Sequence, residues 1–328
     1  MNAAMKRNLD WQFLISIPVL VVLPFITPYQ AIATYILIFA MFATGMNILL
    51  GYTGQLSFGH ASFYGLGAYG TGLLIVKLQW PLWAAMMGGV LTATLGGIII
   101  GYLSFRRSDV YFSLLTLAFS QILYFLAFQL RDLTGGDDGL RGIPVFQPFG
   151  IDLGEPFNMY YFTFVFFIVM AYLARRILHS PLGKAMLAVK ENEDRAIACG
   201  FNTQRIKLVS FVISAVYGGL AGSLWCLHLR FVGVENFDFM LNGQVIFVAI
   251  VGGVGTYFGP IVGSVAYLLL HDYVQLIIER WELVVGLILI FFILFFNQGI
   301  VGYIENRVAA YREKKAAGVG SIRGEESK

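Results

Sequence analysis

Charge is missing from long stretches of this chain, and that constrains its fold more than any other feature. No Asp, Glu, Lys or Arg occurs in 29–76, 78–105, 110–130, 156–174, 208–229, 239–270 or 283–304, and His60 and His228 are the only imidazoles in them. A hydrocarbon span needs about 20 mostly apolar residues. Most of these runs fit one span, while Tyr29–Val76 and Phe239–Leu270 fit two each. With Trp11–Thr27 added, the chain holds about ten membrane segments. The runs do not alternate apolar and polar residues, so they read as helices and not as barrel strands. The expected fold is all-α, a polytopic transmembrane helical bundle with some spans broken or re-entrant. Charged residues make up 12% of the 328, about half the roughly 25% of soluble domains. That excludes a soluble enzyme and a disordered chain. A net charge of +3 is too small to mark a nucleic-acid partner.

The few charges locate the two sides of the membrane. Lys6 and Arg7 precede the first segment, and Arg106 and Arg107 lie between the fourth and fifth. Arg175, Arg176, Lys184, Lys190, Arg195, Arg205 and Lys207 crowd one loop, and the tail carries Arg307, Arg312, Lys314, Lys315, Arg323 and Lys328. The loop 131–155 has instead Asp132, Asp137, Asp138, Asp152 and Glu155 against Arg131 and Arg141. With ten segments the basic loops share one side, so both termini are expected in the cytoplasm. Lys77, on the outer side, is the exception. Pro18, Pro24 and Pro28 interrupt the first apolar run and no small-residue cleavage site follows, so it reads as a retained helix. By this topology Cys199 is cytoplasmic and Cys226 lies in a span, which argues against a disulfide. His60, His179, His228 and His271 have no ligand-spaced partners, so no metal site is expected.

Three segments carry more than lipid-facing helix. The first, around Asn47–Gly72, places Gly51, Gly54, Gly59, Gly65, Gly67, Gly70 and Gly72 among Asn47, Thr53, Gln55, Ser57, His60 and Ser62. Backbone that leaves the helix at membrane depth must be buried in protein or line a cavity. Asn47, Gln55, Ser57 and His60 are therefore candidate path-lining residues beside a helix break. The alternative is close helix packing through small residues. The second segment, Val251–Ser264, holds Gly252, Gly253, Gly255, Gly259 and Gly263, with Pro260 as a breaker. It reads as a tight turn between two short helices, with gating as the sharper alternative, and Gly255, Gly259 and Gly263 at intervals of four would form one smooth helical face. The third, Ser180–Lys207, reads as a projecting amphipathic helix from Lys184 to Cys199. Ser180 and Pro181 would start it, Gly200 would stop it, and Asn202 would cap the next helix. Met186, Leu187, Ile197 and Ala198 would face a partner or the membrane.

Absences narrow the function further. The single Gly-Lys pair, Gly183–Lys184, is followed by Ala185, so there is no phosphate-binding loop. The predicted spans contain no carboxylate for a proton relay and no Ser-Lys, paired-carboxylate or metal pattern for an intramembrane enzyme. A transporter energised by another subunit fits best. A stand-alone carrier or channel is the competing class.

At this point the residues resemble a known family. Gly51 to Tyr69, reading Gly-Tyr-Thr-Gly-Gln-Leu-Ser-Phe-Gly-His-Ala-Ser-Phe-Tyr-Gly-Leu-Gly-Ala-Tyr, is similar to the signature of LivM-type permeases of branched-chain amino acid ABC importers. Thr134 to Pro144 resembles the family's outer loop. Gly183 to Lys207, with Glu191-Asn-Glu-Asp-Arg-Ala, resembles its ATPase-docking loop, and Val251 to Ser264 its glycine-rich segment. Phe296 to Gly302 departs from the family's usual Arg-Pro pattern. The resemblance implies a transmembrane permease domain over 1–306, with an ATPase-coupling loop at 178–207 and a charged cytoplasmic tail at 307–328. Lys184, Lys190, Glu191, Glu193, Asp194 and Arg195 would be the coupling residues, and Gly51, Gly54, Gly59, Gly252, Gly253, Gly255 and Gly259 the helix-break or gating glycines. It also implies no cofactor on this chain, with ATP used by partner subunits. The implied partners are a homologous LivH-type permease, two cytoplasmic ATPases, a periplasmic or lipoprotein substrate-binding protein and the lipid bilayer. The implied location is the bacterial inner membrane. The implied substrates are leucine, isoleucine and valine, with urea or short amides as the alternative within the same pattern.

Overall fold

Within the described residues the charge-free runs are largely helical. The structure is a computed structural model and describes residues 18, 20–27, 29–105 and 109–277, then 283–284, 286–288, 290–291, 299–303 and 307. Most of the Trp11–Thr27 segment, much of Leu283–Ile304 and nearly all of the tail lie outside the described residues. The main helices are α1 (Gln30–Thr53), α2 (Ala61–Val76), α3 (Leu82–Ser104), α4 (Asp109–Gln129), α5 (Pro156–His179), α6 (Pro181–Glu191), α7 (Glu193–Ala198), α8 (Thr203–Leu229), α9 (Phe239–Gly252) and α10 (Gly259–Ile277). Among the described residues the only strand-like pairing is an isolated antiparallel bridge between Leu140 and Val232. Five helices, α1, α3, α4, α5 and α8, are long and apolar enough to cross a membrane.

Burial sorts these helices. α1 is the central post, packed by α8, α5, α10 and α9, with Ile36, Leu37, Phe39, Phe42 and Met46 fully enclosed. Beside it α2, α3 and α8 form a tight trio. Small residues let the backbones approach. A Cβ on Gly67 would lie 2.1 Å from the Gly219 carbonyl oxygen, and one on Gly222 would lie 2.0 Å from that of Tyr64. Packing of this kind replaces the hydrophobic drive that lipid does not supply, and Thr71 adds a hydroxyl bond to Ser223 at 2.8 Å. The outer helices do the opposite. Leu91, Leu95 and Ile99 on α3, Leu114, Ile122 and Phe125 on α4, and Val165 and Val169 on α5 are exposed. Apolar surface on that scale suits lipid, not water.

The two double runs are each split by a non-helical break. α1 ends at Gly54, whose φ of 77° closes the helix in the left-handed region, and α2 begins only at Ala61. α2, with 16 residues, is about 24 Å long and does not span a ~30 Å core alone. α9 has 14 residues and is shorter still. It is followed by a turn at 253–258 and by α10. Gly255 lies in that turn, so the expected smooth face of Gly255, Gly259 and Gly263 does not exist. Pro260 sits in the first turn of α10, where its missing N–H costs nothing.

The projecting loop also differs from expectation. It is two helices and not one from Lys184 to Cys199. Asn192, at φ −163°, ends α6, and its side chain accepts from the Arg195 amide to start α7. Ser180 and Asn202 cap as expected, accepting from Gly183 and Arg205. Gly200 has φ of 86°. Met186 is fully buried within the chain, whereas Ile197 is 54% exposed. Lys77 donates to the Asp132 carbonyl at 3.2 Å, so this lysine ties α2 to the loop that follows α4.

Candidate functional site

The first break starts from helix chemistry. Between Gly54 and His60 the backbone is irregular and not helical, so its polar groups need partners other than a helix ladder. Ser113 donates to the Leu56 carbonyl at 2.6 Å. The Gly59 amide donates to Ser57 Oγ at 3.3 Å, and the Ala61 amide donates to Asn242 Oδ1 at 2.7 Å. Gly59 is required by space, because a Cβ there would lie 2.0 Å from the Thr116 carbonyl oxygen. Gln55, Ser57 and His60 are all buried. His60 stacks on Phe42 at 5.3 Å, meets Phe63 edge-on at 5.4 Å, and lies with Nε2 3.1 Å from Ser214 Oγ. That pair has the reach of a nucleophile and its base. Both groups are fully enclosed, and among the described residues no carboxylate orients the ring, so the contact is packing. Among the described residues no group of three or more His, Cys, Asp or Glu could hold a metal.

The second break is a hydrogen-bonded turn. Thr256 Oγ1 donates to the Gly253 carbonyl at 2.7 Å and accepts from the Gly259 amide at 3.0 Å, capping α10. Gly252 faces the Gly259 carbonyl so closely that a Cβ would lie 1.8 Å from it. Tyr257 reaches out of the turn and donates to the Ala171 carbonyl of α5 at 2.8 Å.

The two breaks meet, and Asn47 staples them. Its Nδ2 donates to the Thr256 carbonyl and its Oδ1 accepts from the Gly255 amide, both at 2.8 Å. The approach needs glycine on both sides. A Cβ on Gly51 would lie 2.5 Å from the Gly255 nitrogen, and Gly255 has φ of 81°. The projecting loop enters the same junction, because Lys190 Nζ donates to the Gly51 carbonyl at 2.6 Å. The aliphatic stem of Lys190 runs beside Gly54. Gly51 is in the last turn of α1, where carbonyls lack helical partners and a cation is favoured.

The structure thus brings together Asn47, Gly51, Gly54, Gly255 and Lys190 from three separate segments. Gly252, Gly253 and Gly259 shape the second turn. Gln55, Ser57, Gly59 and His60 follow the first break deeper into the bundle. Of the other loop residues, Lys184, Glu191, Asp194 and Arg195 are exposed. Glu193 pairs with Lys207 of α8 at 2.7 Å, fastening the two sides of the Gly200 turn. Sequence reasoning passed over Asn242, Ser113 and Ser214. Asn242, one of two side-chain amides in an otherwise apolar α9, was the visible signal. Cys199 is exposed and Cys226 buried, both free.

Comparison with known proteins agrees with this architecture. Residues 29–294 match the family described as branched-chain amino acid transport system / permease component. LivM of Escherichia coli K12, a high-affinity branched-chain amino acid transport system permease protein, is 27% identical over 82% of this chain and 69% of its own length. LivH of Salmonella typhimurium is 27% identical over 69% of this chain and 78% of its own. BraD of Pseudomonas aeruginosa is 25% identical over the same shares. No solved structure matches the chain. With four fifths of its length in the family's pattern and a bundle of apolar helices to match, the chain belongs to the permease components of branched-chain amino acid transport systems, as a multi-pass membrane protein of the LivM type.

Proposed function

We propose that this chain forms half of the membrane core of an ATP-driven importer for branched-chain amino acids. Its partners are a LivH-type permease, two cytoplasmic ATPases that bind and hydrolyse the ATP, and an external substrate-binding protein. The ends of the chain and the α6–α7 loop face the cytoplasm. The exposed Lys184, Glu191, Asp194 and Arg195 form the docking surface of that loop, while Lys190 and Glu193 connect it inward. Gln55, Ser57 and His60 line the path when the 54–60 segment moves, and Asn47 and the glycines of both breaks form its inner gate. The observation that supports this reading is the Lys190–Gly51 bond at 2.6 Å. It joins a solvent-facing loop directly to the point where two broken helices are stapled. A force on the loop therefore acts on the break and is not lost in a flexible linker.

The test is reconstitution in liposomes. The full assembly should accumulate leucine only with ATP inside, and this chain alone should carry none. Leucine flux through the chain alone would make it a carrier or channel. ATP-driven uptake of urea or a short amide without leucine would overturn the substrate.

A further inference from the structure

At the opposite end of the bundle from the α6–α7 loop, a cavity of about 190 Å³ opens between α1, α2, α8 and the start of α9. Its volume falls below the ~300–1,000 Å³ of drug-sized pockets, which suits a small solute. One wall is aromatic. Tyr35 and Trp225 lie 4.7 Å apart between ring centroids, and Tyr64 is 6.4 Å from Trp225. Glu235, Asp238 and Gln244 line the other side. The backbone that carries the carboxylates is held firmly. Phe237 stacks on Tyr69 at 5.6 Å, and its ring fills space that a Cβ on Gly65 would occupy. Ser120 donates to the Phe237 carbonyl at 3.1 Å. Leu140 and Val232 exchange backbone bonds of 2.8 and 3.1 Å just upstream. Among the described residues neither carboxylate has a cationic partner.

We propose that this cavity is an outer recognition site for the ammonium group of a small zwitterion. Glu235 and Asp238 hold the ammonium against the ring faces of Tyr35 and Trp225. The Gln244 amide donates to the ligand's carboxylate, and the aromatic wall takes its apolar side chain. The site rests on the amino-acid reading above, because urea and neutral amides offer it no cation. It also resolves how a zwitterion enters a path without charged side chains. The ion is recognised at the rim, where carboxylates remain partly hydrated and cost little.

The experiment uses the assembly of this chain with its permease and ATPase partners, without the binding protein. Equilibrium binding of radiolabelled leucine is compared with that of isocaproate, which is leucine without its amine. Wild type should bind leucine at least about tenfold more tightly than isocaproate. Glu235→Gln with Asp238→Asn should weaken leucine about tenfold, near 1.4 kcal/mol, and leave isocaproate unchanged. A merely structural role would shift both ligands together. If the assembly imports leucine yet the double variant binds it as wild type does, or wild type shows no preference for the amine, the site falls and the importer reading stands. If the assembly imports only urea or a short amide, both fall.

Discussion

Replacing Asn47 with alanine should unlock the junction between the two breaks, and the cost follows from the geometry. Asn47 is 3% exposed, and it makes two bonds of 2.8 Å to Thr256 and Gly255, more than two hundred residues away. Alanine leaves a peptide carbonyl and an amide without these partners at a site water reaches poorly. Each orphaned group costs ~1–3 kcal/mol. Both lie at a partly buried turn, so the sum belongs in the lower half of that range, about 2–4 kcal/mol. Unfolding of the purified chain in mixed micelles, with rising SDS and tryptophan emission as the signal, measures it. Thr44→Ala is the control. Thr44 sits on the same helix and, among the described residues, bonds only to the Ala40 carbonyl one turn back, at 2.7 Å. Its loss should cost less than about 1 kcal/mol. Adding Lys190→Met completes a double-mutant cycle. Because Gly51 touches both Gly255 and Lys190, the two changes should be non-additive by ~0.5–3 kcal/mol. An Asn47→Ala midpoint within about 0.5 kcal/mol of wild type, or strict additivity with Lys190→Met, would refute the idea that the three segments form one unit.

Other outcomes follow from the same contacts. Lys190→Met removes a charged donor, on an exposed residue, from the carbonyl of buried Gly51, worth about 1–2 kcal/mol. Saturated uptake should slow roughly 5–30-fold with the ATPases still bound, and Lys190→Arg should retain most of the rate; ATPase loss in the Met variant would contradict this. Glu191→Lys with Asp194→Lys should reduce co-purification of the ATPases. Glu193→Gln should not, because its carboxylate is turned inward to Lys207 and, at 37% exposure, the pair contributes at most about 1 kcal/mol. Gly59→Ala should lower the folded yield, because its Cβ would sit 2.0 Å from the Thr116 carbonyl oxygen, an overlap costing ~1–3 kcal/mol or more. Gly243→Ala, with nothing within 4 Å, should be neutral or raise stability by up to about 1 kcal/mol. Fluorescence-detected size exclusion of the two variants side by side distinguishes these expectations.

Much of this bundle was legible in the chain because its signals are local. Missing charge marked the helices, and Gly54, Gly200, Ser180 and Asn202 marked their ends by a left-handed φ or a side-chain oxygen. The glycine cluster was visible and both of its jobs were expected, but not which glycine does which. Gly51, Gly54 and Gly59 serve the break, whereas Gly65 and Gly67 serve helix packing, and both demand the same absence of Cβ. The α6–α7 division was missed, although a local signal for it exists. Asn192 before Glu193 and Asp194 is an N-cap with an acidic first turn, although the continuous polar composition hides it. What local pattern could not reveal is pairing at long range. Nothing near Asn47 points to Gly255, and nothing near Lys190 points to Gly51. The three segments were each conspicuous, but only the fold makes them neighbours. Spacing misled once: intervals of four among Gly255, Gly259 and Gly263 imitate a helix face, yet the first lies in a turn.

The isolated bridge between Leu140 and Val232 has a consequence for how this protein can vary. Both residues are buried, and side chains of paired extended backbone alternate between faces. A register slip of one residue turns an inward side chain outward. An insertion or deletion near either partner would therefore expel Leu140 or Val232 and swing Glu235 out of its place. Point changes at Asp137, Asp138 or Arg141, all exposed, would leave the register intact. In these two loops length is held more tightly than composition. A tag or label is tolerated as a substituted side chain far better than as inserted residues.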